Sequence, residues 1–478
     1  MIAAGVIAIS SCTKDALTES GSTEGNGAYT LTAFLPETTK AYVDNEGISI
    51  LWHENDSISV FGNSNYKYKL KSGAGTTKGV FEAADPQSID AGFAFGNHQV
   101  VYPYLTDTHS LDIWQGEGFV CHVVPSVQTA PAGSFDPQAA IMIGLSDGST
   151  EGQINLHHAV GYLKVPAPET ITNLKAIVIT ATGKPLTGQR KFSVTDGSII
   201  DWDNADDGAY VTIKPEGGSF TANANYYAAV LPGTYDGGMI INYVYAGADA
   251  SSMVIKTKTS SSTLTVAAGH VIPITVDLAS GVADINAYRM QTDGAFWAEK
   301  NIGANSSTDA GGYYGWGGTV SQNTSSYYSG TIGGTDPKLD LNHDTATQLW
   351  GGAWRMPTST ELKIFSGYQG GDSNITKTWN DTNKGFECSS STTSKSVFFP
   401  AAGYYDSSSS SLTNKDTCGY YWQSCAGEQN SPGVNGPEAM EMCHDETNGD
   451  DFSPSSSGYL RSNCLSVRAV LNTDALGL

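Results

Sequence analysis

The chain has 478 residues, too many for one hydrophobic core, and on size scaling it divides into about two to four domains. Charged residues make up only 15% against roughly 25% in ordinary soluble proteins, while Gly (54) and Tyr (24) are abundant, a composition of strands joined by turns. The formal net charge of −23 repels phosphate backbones and anionic headgroups, and no Lys/Arg cluster offsets it, which argues against nucleic-acid binding.

Met1 to Ile9 is apolar and small, and Ile9-Ser10-Ser11-Cys12 resembles the lipobox at which lipoprotein signal peptidase cuts before an acylated cysteine. No Lys or Arg precedes the apolar run, so the true start of a signal peptide stays open. Residues 1–12 are thus expected to be signal peptide and lipobox, with Cys12 lipidated, and residues 13–27 a flexible tether. No other segment approaches the ~20 apolar residues of a membrane span, so attachment to the outer membrane is expected by lipid alone.

Residues 28–165 carry short alternating runs, Ile48 to Trp52, Ser57 to Phe61 and Gln99 to Tyr102, punctuated by Gly, Asn, Asp and Pro. They predict a first β-sandwich. Residues 166–280 repeat the pattern with Leu174 to Thr180, Tyr226 to Leu231, Met239 to Val244 and a closing strand over His270 to Val276, which predicts a second. Ala279 to Asn286 reads as a linker. Beyond it composition shifts to Ser, Tyr, Trp, Asn and Gly, and a third domain is expected over residues 288–472. Apolar-period stretches long enough for helices are scarce, and the clearest candidates are Ser359 to Gly367 and Asp344 to Gly351.

Five phrases in order, Thr39 to Tyr42, Leu51 to Phe61, Val101 to Tyr104, Leu156 to Lys164 and Leu231 to Tyr235, resemble the fimbrillin-like proteins of lipoprotein-derived (type V) pili in Bacteroidetes. The resemblance implies two tandem transthyretin-like β-sandwiches and association with other pilus subunits by strand addition. Shaft subunits of that family polymerise after trypsin-like cleavage behind an early basic residue. No Arg occurs here before Arg190, which leaves a tip, anchor or other surface role. The third domain resembles the Fibrobacter succinogenes major paralogous domain, a relative of C-type-lectin-like and formylglycine-generating-enzyme-like folds. The phrases are Phe296 to Gly303, Gly312 to Gly317, Trp350 to Thr358, Phe398 to Tyr404 and Cys464 to Val470. This implies an α+β domain. At Cys464 the family usually has Gly, which implies a disulfide particular to this chain.

Besides Cys12 and Cys121, five cysteines crowd the last third: Cys388, Cys418, Cys425, Cys443 and Cys464. In an exported protein they predict one or two disulfides whose pairing the sequence leaves open, with buried thiols as the alternative. None of the spacings is C-x-x-C, so zinc is unsupported.

For ligand binding, aromatic faces for sugar C–H groups and amide or carboxylate groups for hydroxyls are sought in the loop-rich stretch Gly403 to Asn448. Tyr404, Tyr405, Asn430, Asn435, Glu438, Asp445 and Glu446 are the candidates, with Trp316, Trp354 and Trp422 read as core. No cofactor is expected. Calcium lacks a motif: Trp379-Asn380-Asp381 is misplaced for a lectin site. Asp340, Asn342 and Asp344 lack the Gly and Glu of an EF-hand loop and read as a turn and helix N-cap. No catalytic residue is assigned. Cys418 and Cys425 imitate a copper-holding pair at the wrong spacing, and His157 and His158 point to opposite faces of a strand. Arg355 and Arg468 read as structural, each pairing a carboxylate or carbonyl. The sequence therefore predicts a mainly β surface lipoprotein, a fimbrial tip subunit or adhesin whose last domain binds a glycan or host protein. The alternative is a non-adhesive structural or anchor subunit, and an enzyme comes third.

Overall fold

The computed structural model describes residues 30–36 and 51–477, apart from 63, 88–96, 107–114, 117, 148–151, 202–207, 277, 279–282, 331–337, 369, 427–436 and 456–458. Cys12, the tether, the Thr39 to Tyr42 phrase, Asn430 and Asn435 lie outside the described residues. The fold is mainly β. Among the described residues no helix is long and apolar enough to cross a membrane.

The first block closes into a barrel where a two-sheet sandwich was expected. Closure depends on Thr30–Phe34, which pairs antiparallel with Lys78–Ala83 and parallel with Gln153–His158, so both free edges meet on one strand. Ser57–Phe61, Asn65–Ser72, Gln99–Tyr102 and Met142–Ser146 complete it. Inward residues alternate along these strands and enclose Trp52, whose ring meets Phe81 edge-on at 4.8 Å and Tyr102 at 5.4 Å. Gly79 makes room for that indole, since a Cβ there would stand 2.8 Å from Trp52.

The boundary anticipated at residue 165 is not a clean cut. Phe119–Val124 and Val127–Ala130 pair with Gly188–Ser193 and Tyr210–Pro215 of the middle block. Gly161–Pro166 lies between Asn225–Val230 and Val271–Pro273. The two blocks are stitched by strands rather than strung on a linker.

The same holds at the next boundary. Ala283–Arg289, overlapping the expected linker, is a strand that pairs with Ser252–Ser260 on one side and Phe296–Ala298 on the other. Its sequence, ADINAYR, alternates, with Ile285 and Ala287 buried, a period of two that the small residues before it mask. One nine-stranded sheet therefore runs from Val127–Ala130 through the middle block to Val470–Leu471 and Trp354–Arg355 of the last. Side chains follow suit: Ala176, Val178 and Val244 share one core with Trp316, Trp354 and Trp422.

Polar bonds lock this junction. Asn242 Nδ2 donates to the Trp350 carbonyl at 2.8 Å and to Thr257 Oγ1 at 2.9 Å, and the Gly352 amide donates to Thr180 Oγ1 at 2.6 Å. Gly352 lies flat on Tyr210, where a Cβ would come within 2.5 Å.

Helix α1, Thr345–Trp350, starts at Asp344, whose carboxylate accepts from the Thr347 amide at 3.0 Å. Helix α2, Ser359–Lys363, has a capping box between Thr358 and Glu361 and is shorter than its periodicity predicted, continuing as turns that bury Phe365. Helix α3, Thr473–Leu476, ends at Gly477 in the left-handed region. Two three-stranded antiparallel sheets, Ile375–Asn380 with Gly385–Ser390 and Ser396–Pro400, and Cys418–Ala426 with Pro437–Cys443 and Asp451–Ser455, enclose Phe386, Phe399, Met440 and Trp297.

Candidate functional site

The short hairpin of Tyr404–Asp406 and Ser411–Thr413 lies beside Cys418–Ala426, which brings Tyr404 against Tyr420. Their rings meet edge-on at 4.9 Å, and Tyr459 closes a triad at 5.4 Å from Tyr404 and 5.8 Å from Tyr420. Trp422, fully buried, backs Tyr459 at 6.1 Å. The phenol of Tyr459 donates to Glu441 Oε1 at 2.8 Å, and exposed Asn414 donates from Nδ2 to the Tyr420 hydroxyl at 2.7 Å. Tyr404, Tyr459 and Glu441 are half-buried, so ring faces, a carboxylate and an amide stand together at the surface.

Burial raises all three phenols above their ordinary range, and the Glu441 carboxylate raises Tyr459 further. They therefore stay protonated at any physiological pH. Such a set offers C–H stacking surface beside hydrogen-bond acceptors and donors, the requirements of a hydroxyl-rich ligand.

Of the sequence candidates, Tyr404 alone among the described residues belongs to this triad. Tyr405 packs on the other side with Tyr313, Ala402 and Cys464, and exchanges backbone hydrogen bonds with Cys464 at 2.8 and 2.9 Å. Glu438 accepts from Gln423 Nε2 at 2.7 Å, and burial raises its carboxyl. Asp445 closes a turn, accepting from Asn448 Nδ2 and the amides of Thr447 and Asn448, bonds that lower its carboxyl, and Glu446 is exposed in the same turn. Glu438 lies near the start of Pro437–Cys443 and Asp445 two residues past its end, on the order of 20 Å apart at strand rise, so the described candidates do not converge. Tyr420, Tyr459, Glu441 and Asn414 were missed. Tyr420 was legible as part of the run Tyr420-Tyr421-Trp422, whereas Tyr459 reaches the triad only through tertiary folding.

Cys418 and Cys443 are register partners on adjacent antiparallel strands and form a disulfide. Cys418 is therefore unavailable to pair with Cys425 as a metal-holding couple. Cys388, Cys425 and Cys464 are thiols. Cys464 is a free, fully buried thiol, so among the described residues the extra disulfide implied by the family departure is not formed there; burial pushes this thiol up to about 11. Asp340 accepts from the amides of Asn342 and His343 in a turn, and Asp381 accepts from Trp379 Nε1 at 2.9 Å. Among the described residues no three His, Cys, Asp or Glu side chains gather as a metal site. Arg355 grips Glu361 through both terminal nitrogens, at 2.8 and 2.6 Å. Arg468, fully buried, donates to Asn301 Oδ1 at 2.8 Å and to the carbonyls of Ala298 at 3.2 Å and Phe398 at 2.7 Å.

No sequence-family profile and no curated protein matches the chain. Among solved structures it is similar to a candidate cell adhesion protein from Bacteroides ovatus ATCC 8483, at 14% identity and a TM-score of 0.36, over 54% of this chain and 95% of that one. It is also similar to a fimbrial assembly protein from Parabacteroides distasonis ATCC 8503, at 9% identity and a TM-score of 0.20, over 54% of this chain and 95% of that one.

Proposed function

We propose that this chain is a fimbrial-type surface lipoprotein that works by adhesion, held through Cys12 and binding a glycan or glycosylated host protein through its last, lectin-like block. The observation that carries the binding role is the pair of half-buried rings Tyr404 and Tyr459, backed by buried Tyr420 and flanked by Glu441 and Asn414. The pilus context rests on the family phrases between Thr39 and Tyr235, which also imply strand addition to other subunits.

The test is a glycan and mucosal-protein panel on the full chain, with calcium and with chelator. Selective binding is expected, reduced roughly tenfold or more by Tyr459→Ala, as loss of one stacked ring requires. Insensitivity to chelator would agree with a metal-free face. An empty panel, or a Tyr459→Ala variant that binds like the parent, would sink the adhesive role in favour of a structural or anchor subunit. That second role draws on the full burial of Trp316, Trp354 and Trp422, which leaves those large aromatics to the core.

A further inference from the structure

The seam between the middle and last blocks opens on one side into a cleft of about 360 Å³. That is within the range of small-molecule sites, which favour interfaces of this kind. Its walls come from chain segments far apart in sequence. Tyr210 rises from the middle block, Leu339 and Leu341 precede α1, Met356 follows the edge strand, and Asp474 belongs to α3. Tyr210 and Leu339, largely buried, and half-buried Leu341 form an apolar floor, with fully buried Met356 behind them. The junction bonds of Asn242 and Gly352 hold the two walls together, so the cleft exists before anything enters it.

The charges on the lining are not equivalent. Arg355 is already neutralised by its two bonds to Glu361. Asp344 is buried, with both oxygens taken by the amides of Thr347 and Met356. At the rim, Asp340 is exposed, but its oxygens already accept from the amides of Asn342 and His343 and bond to His343 Nδ1 at 2.8 Å, whereas Asp474 is exposed with no ion pair among the described residues. Lys338 also lines the cleft and is engaged in interactions of its own, so the rim presents two carboxylates against one further cation. An apolar floor beneath an acidic rim selects for a molecule apolar at one end and positively charged at the other.

We propose that this cleft is a second binding site, distinct from the tyrosine triad, which takes a small ligand with an apolar body and one protonated amine. The amine is held at Asp474, with the Asp340 charge beside it on the rim, and the body rests on Tyr210, Leu339 and Leu341.

The experiment titrates the full chain with 2-phenylethylamine and, separately, with phenylacetate, which keeps the ring and reverses the charge, by calorimetry and ligand-detected NMR. Saturable binding of the amine and none of the acid is expected, with affinity falling about tenfold in Asp474→Asn, the loss of one charge-assisted contact. Asp340→Asn serves as a second variant, and an unchanged thermal midpoint certifies folding in each. Glycan binding at the tyrosine triad should be unaffected in both, which separates failure of this site from failure of the other. Equal binding of amine and acid, no saturable binding, or full affinity in both variants would overturn the proposal.

Discussion

Arg468 illustrates how a single side chain can organise a block. Its guanidinium donates to a side-chain amide oxygen and two carbonyls contributed by two separate segments, and it lies 4.7 Å over the Phe399 ring. Burial lowers it to about 10, so it remains charged in any physiological medium. Arg468→Ala would strand those acceptors without water, and we expect a loss of roughly 3 kcal/mol or more in denaturant unfolding. Asp344 gives a pH signature. Burial raises its carboxyl to about 6 against amide bonds that pull the other way. Between about pH 4 and 6 the folded state keeps a proton that the unfolded state has released. The contribution of this group therefore declines as pH rises through that window, by up to about 3 kcal/mol, and is flat above it. The difference in unfolding free energy between the parent and Asp344→Asn should follow that slope, and a pH-independent difference would refute the assignment. Both residues were legible from their phrases, Asp344 as an N-cap and Arg468 as structural. Their partners were not, because Asn301 lies 167 residues from Arg468.

At the scale of elements, local chemistry decided much of what formed. The runs Ser57 to Phe61 and Gln99 to Tyr102 form strands with those bounds, and α1 begins after Asp344 because Ser, Thr, Asn and Asp side chains satisfy the first amides of a helix. What the pattern did not determine is which strands pair. Cys418 and Cys443 meet because their strands run antiparallel in one register, a fact invisible in a spacing of 25 residues. Closing a loop of that length stabilises by about 3 kcal/mol through the unfolded chain. Replacing both cysteines by Ala should lower the urea midpoint accordingly, whereas Cys388→Ser should act through its burial alone. An unchanged midpoint in the double variant would mean that the bond does not form.

At the scale of the molecule, the three blocks share strands rather than linkers. Because the nine-stranded sheet and one hydrophobic core pass from the middle block into the last, these two should unfold in a single calorimetric transition. Gly352→Val, which drives a side chain into Tyr210, should lower that transition as a unit. Two separate transitions would show the blocks to be independent. From the sequence alone came the β class, the acidic charge, several strand positions such as Ser57 to Phe61, the starts of α1 and α2 and the aromatic core, since periodicity, capping and composition are local properties, whereas α3 and the coil at Leu51 and Trp52 were not legible. Only the tertiary structure decided the closure of the barrel, the strand across the expected linker, the disulfide pairing, the tyrosine triad and the cleft at the seam. Each of these depends on contacts between residues distant along the chain, and the alternation of a strand records which face is buried but not which neighbour covers it.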